Sequence, residues 1–141
     1  MEPTRSDAEL EDNYLQTLRV NFSHKMAATR AGLGWIGKTD LLVSHAFGPR
    51  VRLAAMLLDY PGFSAGTPET ESRCGACDLC VQACPAQAAQ GLPWRAGVDR
   101  DEFFNAFKCR EKCRELSLKN LGEAISLCGR CIAVCQHSAS S

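Results

Sequence analysis

The sequence has no run of about 18 consecutive apolar residues, so it predicts no membrane-spanning helix. It also lacks an excess of either charge, because 16 Lys and Arg residues balance 16 Asp and Glu residues. Proteins that coat nucleic acid depend on excess basic charge, so this balance argues against that class. The N-terminal residues MEPTRSDAELEDNY lack the basic start and apolar stretch of a secretory signal. We therefore expect a cytoplasmic protein.

Cysteine is missing from residues 1–73, and all nine cysteines follow that point. A secreted disulfide scaffold would tend to have an even number of cysteines and an export signal, and this chain has neither. In a reducing cytosol, clustered cysteines more often bind metal than form disulfides. The distribution therefore predicts a metal-binding second half.

Changes in composition divide the chain. Residues 61–73, PGFSAGTPETESR, are rich in glycine, proline, serine and threonine, which is typical of a linker. The linker separates a small α/β segment, residues 14–60, from a mostly helical cysteine region, residues 74–135. Residues 1–13 are predicted to be a flexible leader and residues 136–141 a tail. Together these segments predict an α+β protein.

The α/β segment is predicted to contain a helix, a glycine loop and a hairpin. Apolar residues at three- and four-residue steps predict a helix over residues 14–31. Ser23 offers an alternative, because it could cap a shorter helix that begins after it. Apolar residues 41–43 predict a strand, and residues 51–60 predict a second strand that pairs with it. The alanines in the second run leave a helix there as an alternative.

The glycine loop AGLGWIGKT, residues 31–39, matches two phosphate-binding patterns, G-x-G-x-x-G and G-x-x-x-x-G-K-T. Both patterns require a strand before the loop and a helix after it. Here a helical segment precedes the loop and a strand-like segment follows it, so we interpret both matches as coincidental.

Two interpretations of this loop stay open. In the structural one, Gly32 ends a helix in the left-handed conformation while Trp35 and Ile36 pack inside. In the functional one, the loop is a backbone wall beside a bound cofactor or cluster, and a lysine in it offers charge. The candidate cofactor-binding residues are Gly34, Gly37 and Lys38.

The cysteine region begins with CGACDLCVQACP, a C-x2-C-x2-C-x3-C-P run typical of bacterial iron–sulfur proteins. Three closely spaced cysteines can curl around one cubane cluster, and the fourth ligates the other cluster in two-cluster ferredoxins. The second motif, CGRCIAVC, lacks one cysteine of the full run. A crossed arrangement is therefore predicted, in which the last cysteine of each motif serves the other motif's cluster.

The predicted ligands of the first [4Fe–4S] cluster are Cys74, Cys77, Cys80 and Cys135. The second cluster would take Cys84, Cys128 and Cys131, with its fourth ligand from Cys109 or Cys113. The last two lie on a helix predicted over residues 100–118, capped by Asp99 or Asp101, with Phe103, Phe104 and Phe107 on its apolar face. Structural zinc is the main alternative to iron–sulfur, but it does not explain the triple cysteine run.

Three segments together resemble the C-terminal half of the epoxyqueuosine reductase family. They are HKMAATRAGLGWIGKTDLLVS, FGPRVRLAAMLLDYPG and the cysteine region with FKCREKCREL between its motifs. The resemblance implies two [4Fe–4S] clusters in a small helical domain packed against a cobalamin-binding α/β domain. It also implies Cys109 as the last ligand, because the family's corresponding cysteine follows a basic residue, as Cys109 follows Lys108.

The sequence departs from the family in ways that bear on activity. Family members are much longer at the N-terminus, where most of the cofactor domain lies. The family's acidic proton donor lies in a segment resembling D-T-G-P, and this chain has LRVN at residues 18–21. We therefore predict no catalytic residue and do not expect complete epoxide reduction from this chain alone.

The expected function is electron transfer through two clusters, between a donor protein and an acceptor protein. The alternative is part of a corrinoid-dependent enzyme of tRNA queuosine modification, with cobalamin as a further cofactor and tRNA as a partner. A completing polypeptide or a second copy of the chain could cover the face left by the absent domain. The alternating basic residues of 108–119 predict either a solvated helix or a docking surface for an acidic partner.

Overall fold

The computed structural model describes residues 13–20, 22–56, 58–62, 64 and 66–137. Most of the predicted leader and residues 138–141 of the predicted tail lie outside the described residues. The regular elements are α1 (Tyr14–Thr17), α2 (His24–Arg30), β1 (Gly34–Ile36), β2 (Leu42–Ser44), α3 (Leu79–Gln82), α4 (Arg100–Phe103), α5 (Ala106–Leu121) and α6 (Arg130–Ala133). This set of helices with one small sheet confirms the α+β class. Within the described ranges, no helix is long and apolar enough to cross a membrane.

The predicted helix over residues 14–31 is divided into α1 and α2. Leu18 ends α1 with a left-handed φ of 50°. Ser23 then begins α2, because its side chain accepts a hydrogen bond from the Met26 backbone N–H at 3.4 Å. The shorter, serine-capped helix is therefore the correct alternative. Gly32 follows α2 with a φ of 71°, which confirms its predicted left-handed conformation.

The hairpin differs from the predicted one. Strand β1 comes from the glycine loop itself and pairs antiparallel with β2, with Trp35 opposite Val43. Gly34 permits this pairing, because a Cβ atom at that position would lie 2.1 Å from the Val43 carbonyl oxygen. The turn is closed by the Gly37 N–H, which donates to the Leu41 carbonyl at 2.8 Å. The glycine loop is thus one strand and the turn of the hairpin.

The prediction of a second strand over residues 51–60 is wrong. The described residues of this run form neither strand nor helix. Met56, in its middle, is 78% exposed. Apolar and β-branched residues favour a strand only where a neighbouring strand can pair with their backbone. Within the described part of the chain, β2 pairs with β1, and the described residues of 51–60 pair with neither strand.

The hydrophobic core joins the residues before the predicted linker to those after it. Trp35 and Ile36 are 5% and 1% exposed, which confirms that they pack inside. The rest of the buried cluster is Ala28, Leu42, Val43, Ala88, Ala89, Trp94, Phe103 and Phe104. Backbone hydrogen bonds from Glu69 to Thr29 and from Ala96 to Thr70 tie residues 69–70 to both sides. The division into the named domains stays a prediction.

The predicted helix over residues 100–118 is broken into α4 and α5. Asp99 caps α4 with a complete capping box. Phe104 then adopts an extended conformation, and the Asn105 side chain caps α5 by accepting from the Lys108 N–H at 2.9 Å. Phe103 and Phe104, on either side of this break, are both in the core. Phe107 was also expected on the apolar face, but it is 45% exposed.

Candidate metal centre

Three helices position the cysteines. The short helices α3 and α6 pack against each other, and they carry Cys80 and Cys131 respectively. The long helix α5 carries Cys109 and Cys113, one helical turn apart. Because each short helix follows the first cysteines of its motif, the contact between α3 and α6 brings the two motifs together.

The first group of cysteines surrounds Cys80. Burial raises the pKa of the Cys80 thiol to about 11, and the neighbouring thiols of Cys74, Cys135, Cys131 and Cys77 add to the effect. The neighbours of Cys80 therefore include both Cys131 and Cys135 from the second motif, and Cys131 is a neighbour of both groups. Iron coordination deprotonates a thiol outright, so the raised pKa describes the metal-free protein.

The second group surrounds Cys109. Burial raises the pKa of the Cys109 thiol to about 12, and Cys113, Cys84 and Cys131 lie close enough to raise it further. Burial is also the main cause of the raised pKa of the Cys113 thiol, with Cys128 and Cys131 among its neighbours. The last cysteine of the first motif, Cys84, thus lies with the cysteines of α5 and of the second motif.

Cys109 and Cys113 both reach the second group. Their Sγ atoms are 3.9 Å apart, and Cys113 is the more buried of the two residues. Residues four apart on a helix lie on the same face, so neither thiol points away from the group. The structure brings both candidates together, and the preference for Cys109 as the ligand stays a prediction.

The end of the glycine loop contacts both groups of cysteines. A Cβ atom on Gly37 would lie 3.8 Å from the Cys74 Sγ atom. The next residue, Lys38, is buried, and its Nζ lies 2.6 Å from Oδ1 of Asp78 in the first motif. Thr39 is also buried, and it lies close enough to Cys131 to offset part of the rise that burial causes in the pKa of that thiol.

Sequence reasoning missed Thr39 and Asp78. Both lie beside residues that were singled out, Thr39 after Lys38 and Asp78 within the first cysteine run. Thr39 entered the sequence analysis only as the last residue of the G-x-x-x-x-G-K-T match, and Asp78 carries no spacing signal, so only their contacts identify them. Gly34 lies in β1 and has a structural reason to be glycine. The assignment of Gly34, Gly37 and Lys38 to a cofactor stays a prediction.

The histidines do not join the cysteine groups. His45 Nε2 lies 2.9 Å from Glu69 Oε1, and its ring lies 5.4 Å from the Trp35 ring. The His137 ring lies 5.1 Å from the ring of the same tryptophan, centroid to centroid. Among the described residues, His137 Nε2 is buried without a hydrogen-bond partner.

The donor set bears on the kind of metal centre. A structural zinc site needs four ligands about 2.0–2.3 Å from a single ion. In the described ranges, no three His, Cys, Asp or Glu side chains are arranged to hold one ion. A cubane cluster is larger than one ion, so its cysteine ligands are spread more widely around it. Structural zinc sites with four cysteines and cubane clusters both use thiolates alone, so the donor type of these two groups fits either centre.

A cavity of about 630 Å³ lies beside the second group. Cys109 and Cys113 line it together with Trp94 and the ion pair of Lys25 with Asp40. Cavities of about 300–1,000 Å³ enclose drug-sized ligands, and a corrinoid is larger than these. This cavity is therefore too small to enclose a cobalamin by itself.

Comparison with known proteins relates the chain to one group of enzymes. The epoxyqueuosine reductase of Listeria monocytogenes is 42% identical over 64 residues, which is 45% of this chain and 16% of that protein. The epoxyqueuosine reductase of Xanthomonas campestris is 33% identical over 108 residues, which is 77% of this chain and 30% of that protein. No protein-family model matches the chain.

A solved structure shares the fold. It is an epoxyqueuosine reductase from Bacillus subtilis, with its catalytic loop swung out of the active site. The match has a TM-score of 0.60 at 23% identity and covers 92% of this chain and 36% of that chain. The matches thus span about a third or less of each relative's length. They confirm the resemblance expected from the sequence: the chain is a relative of the epoxyqueuosine reductases.

Proposed function

We propose that this protein is an electron-transfer protein that carries two [4Fe–4S] clusters. The observation that supports this most is the crossed grouping of cysteines from two separate motifs. Cys135 lies with the first motif around Cys80, and Cys84 lies with the second motif and α5. Two-cluster ferredoxins cross their ligands in this way.

The proposed ligands of the first cluster are Cys74, Cys77, Cys80 and Cys135. Those of the second cluster are Cys84, Cys109, Cys128 and Cys131. Each cluster, when bound, accepts and returns one electron at a time. The chain holds the irons through thiolates, and the partial burial of all these cysteines limits the access of water to the cluster sulfurs.

The electron donor and acceptor are proposed to be other proteins. The donor would be a low-potential one-electron carrier, which is oxidised as a cluster is reduced. Helix α5 carries alternating charges, and Lys112 pairs with Glu115 within it. This ion pair favours the solvated-helix interpretation for that part of α5, so the docking of an acidic partner there rests on its other basic residues.

Two alternatives receive less support. A corrinoid-dependent epoxyqueuosine reductase unit would need protein beyond the described residues to enclose its cofactor, and the chain matches only 16–34% of its relatives' length. A completing polypeptide, a second copy of the chain and tRNA belong to that alternative as partners. A structural zinc module is disfavoured because it does not explain the triple cysteine run followed by C-x3-C-P.

Iron and sulfide analysis after anaerobic reconstitution tests the proposal. We expect about eight irons and eight sulfides per chain, with visible absorption that bleaches on reduction. Zinc without sulfide would contradict the proposal and support a structural module. Adding cobalamin to the loaded protein tests the corrinoid alternative, because binding would change the cobalamin spectrum.

A further inference from the structure

The lysine of the glycine loop is a buried cation beside the first group of cysteines. The Lys38 side chain is 5% exposed, and its Nζ donates to Oδ1 of Asp78 at 2.6 Å. Asp78 lies inside the first cysteine run, between two of the proposed ligands of the first cluster. The residue before the lysine also reaches this group, because a Cβ atom on Gly37 would lie 3.8 Å from the Cys74 Sγ atom. The glycine loop therefore holds the ammonium of Lys38 close to the first cluster site.

The charge of this ammonium is only partly compensated. An ammonium has three N–H donors, and within the described residues Lys38 Nζ makes one hydrogen bond, to Asp78. The two charges of the pair differ in their contact with solvent, because the Asp78 side chain is 45% exposed. Water screens an exposed charge strongly, whereas a buried charge is screened much less. The pair therefore leaves a net positive potential inside the protein, next to the first group.

The proposed first cluster would place a negative charge beside this lysine. The sulfides and thiolates of a [4Fe–4S] centre outweigh the charge of its irons, and one-electron reduction makes the centre more negative still. Charge is one of the factors that set the reduction potential of a cluster, and a buried cation stabilises the reduced state more than the oxidised state. We infer that Lys38 raises the reduction potential of the first cluster and that Asp78 limits this effect. The inference rests on the proposed function, because it needs a cluster bound to the first group.

The hairpin determines where this charge lies. Lys38 lies between β1 and β2, in the turn that the Gly37 N–H closes on the Leu41 carbonyl at 2.8 Å. The turn holds the lysine backbone, and Asp78 holds the end of its side chain. The charge therefore favours the first cluster as the place where an electron from a reductant is held. Lys38 gives up neither a proton nor an electron in this step, and it acts on the cluster through its charge.

A redox titration of reconstituted protein, reduced with dithionite and followed by electron paramagnetic resonance, tests the inference. Lys38→Met removes the charge and keeps most of the side-chain volume. We expect Lys38→Met to lower the reduced-to-oxidised ratio of the first cluster about tenfold at a fixed potential, or about 59 mV for one electron. Cys80→Ala identifies the first cluster, because its signal should be lost. A fully loaded Lys38→Met protein whose first cluster keeps the wild-type potential would overturn the inference.

A matched control is Lys112→Met. Lys112 also pairs with a carboxylate, that of Glu115 at 2.7 Å, but it lies on α5 and its side chain is 32% exposed. Solvent screens this charge, so the variant should leave the potential of the first cluster unchanged. An equal fall in Lys112→Met and Lys38→Met would be an effect of net charge alone and would overturn the assignment to Lys38.

Asp78→Asn provides a test of opposite sign, which also decides the matter if Lys38→Met fails to load the first cluster. It removes the exposed negative charge and keeps the buried lysine, so the first cluster should become easier to reduce. We expect its reduced-to-oxidised ratio to rise about threefold at a fixed potential, less than the change for the lysine because solvent screens the carboxylate. A potential that is unchanged or lower in Asp78→Asn would overturn the inference. Failure of the proposed function itself is distinct, because the metal content of the wild type would show it before any potential is measured.

Discussion

Lys38 Nζ lies 2.6 Å from Asp78 Oδ1, and this ion pair joins the glycine loop to the first cysteine motif. The Lys38 side chain is 5% exposed, whereas that of Asp78 is 45% exposed. Asp78 directly follows Cys77 and precedes α3, which carries Cys80. The lysine of the apparent phosphate-binding pattern is therefore bound within the protein, to a neighbour of the cysteines.

We predict that Asp78→Asn destabilises the protein more than Lys38→Met does. Losing the carboxylate leaves the buried lysine charge uncompensated, at a cost of about 1–3 kcal/mol in the free energy of unfolding. Methionine instead removes the charge and keeps most of the packing. Anaerobic urea unfolding of the loaded protein measures both. The exposed pair of Lys112 with Glu115 is the control, and its loss should cost less than about 1 kcal/mol. The prediction would be contradicted if Asp78→Asn cost no more free energy of unfolding than Lys38→Met, or no more than loss of the Lys112–Glu115 pair.

The proposed crossed ligation predicts which cysteine variants lose the same cluster. Cys135→Ala should lose the same cluster as Cys80→Ala, leaving about four irons, although Cys135 belongs to the second motif. Cys131→Ala should lose the other cluster. Iron content and the paramagnetic signal of the remaining cluster measure this. If the same cluster signal remained in Cys135→Ala and in Cys131→Ala, each motif would instead ligate its own cluster.

The two cysteines of α5 are predicted to differ in their effect on cluster content. Cys109→Ala should reduce the iron content from about eight to about four, because the second cluster loses a ligand. Cys113→Ala should retain about eight irons, because its thiol is a neighbour and not a ligand. Iron and sulfide analysis of both variants after identical reconstitution provides the measurement. The reverse result would make Cys113 the ligand.

Gly34→Ala is predicted to disrupt the hairpin. The new methyl group would lie 2.1 Å from the Val43 carbonyl oxygen, so the strands would have to separate. We expect a loss of about 3 kcal/mol or more, comparable to severe overpacking. Gly91→Ala is the control, because its φ is 81° but no atom lies within 4 Å of the new methyl. It should cost only about 1–2 kcal/mol for the left-handed backbone. A lower thermal unfolding midpoint for Gly91→Ala than for Gly34→Ala would contradict this prediction.

Arg19 connects the segment after α1 to the start of α4 and is predicted to stabilise the fold at neutral pH. It lowers the pKa of Asp99, and Arg100 followed by Arg19 lowers that of Asp101. A carboxylate whose pKa is lowered in the folded state stabilises the fold at pH values above its ordinary pKa of about 3.9. This stabilisation is lost only as the pH falls through the lowered pKa.

The effect of Arg19→Met should therefore be constant between pH 8 and pH 6. It should shrink in about 1 M salt, because these carboxylates are exposed and are screened. Thermal unfolding of the loaded protein at several pH values and salt concentrations checks both statements. Arg19→Lys keeps the charge and serves as the control. If the stability difference between the wild type and Arg19→Met disappeared within that pH range, the effect of Arg19 could not be assigned to these carboxylates.

Local features of the fold were predictable where neighbouring residues determine them. Ser23 could be considered as an alternative helix cap from the sequence, because the hydrogen bond that it accepts comes from Met26, three residues away. The left-handed conformation of Gly32 belonged to one of the two interpretations of the loop, and it too depends on the neighbouring helix end. The strand over residues 51–60 was predicted wrongly, because a strand depends on a partner that periodicity does not reveal.

The sequence by itself determined the relation to the epoxyqueuosine reductases and the cysteine spacing from which two crossed clusters are proposed. A spacing of two or three residues defines local backbone geometry, so it can be interpreted without the fold. Only the tertiary structure decided that β1 comes from the glycine loop and that Lys38 pairs with Asp78. These contacts join residues far apart in the chain, and they depend on how buried surfaces fit together, which no local pattern records.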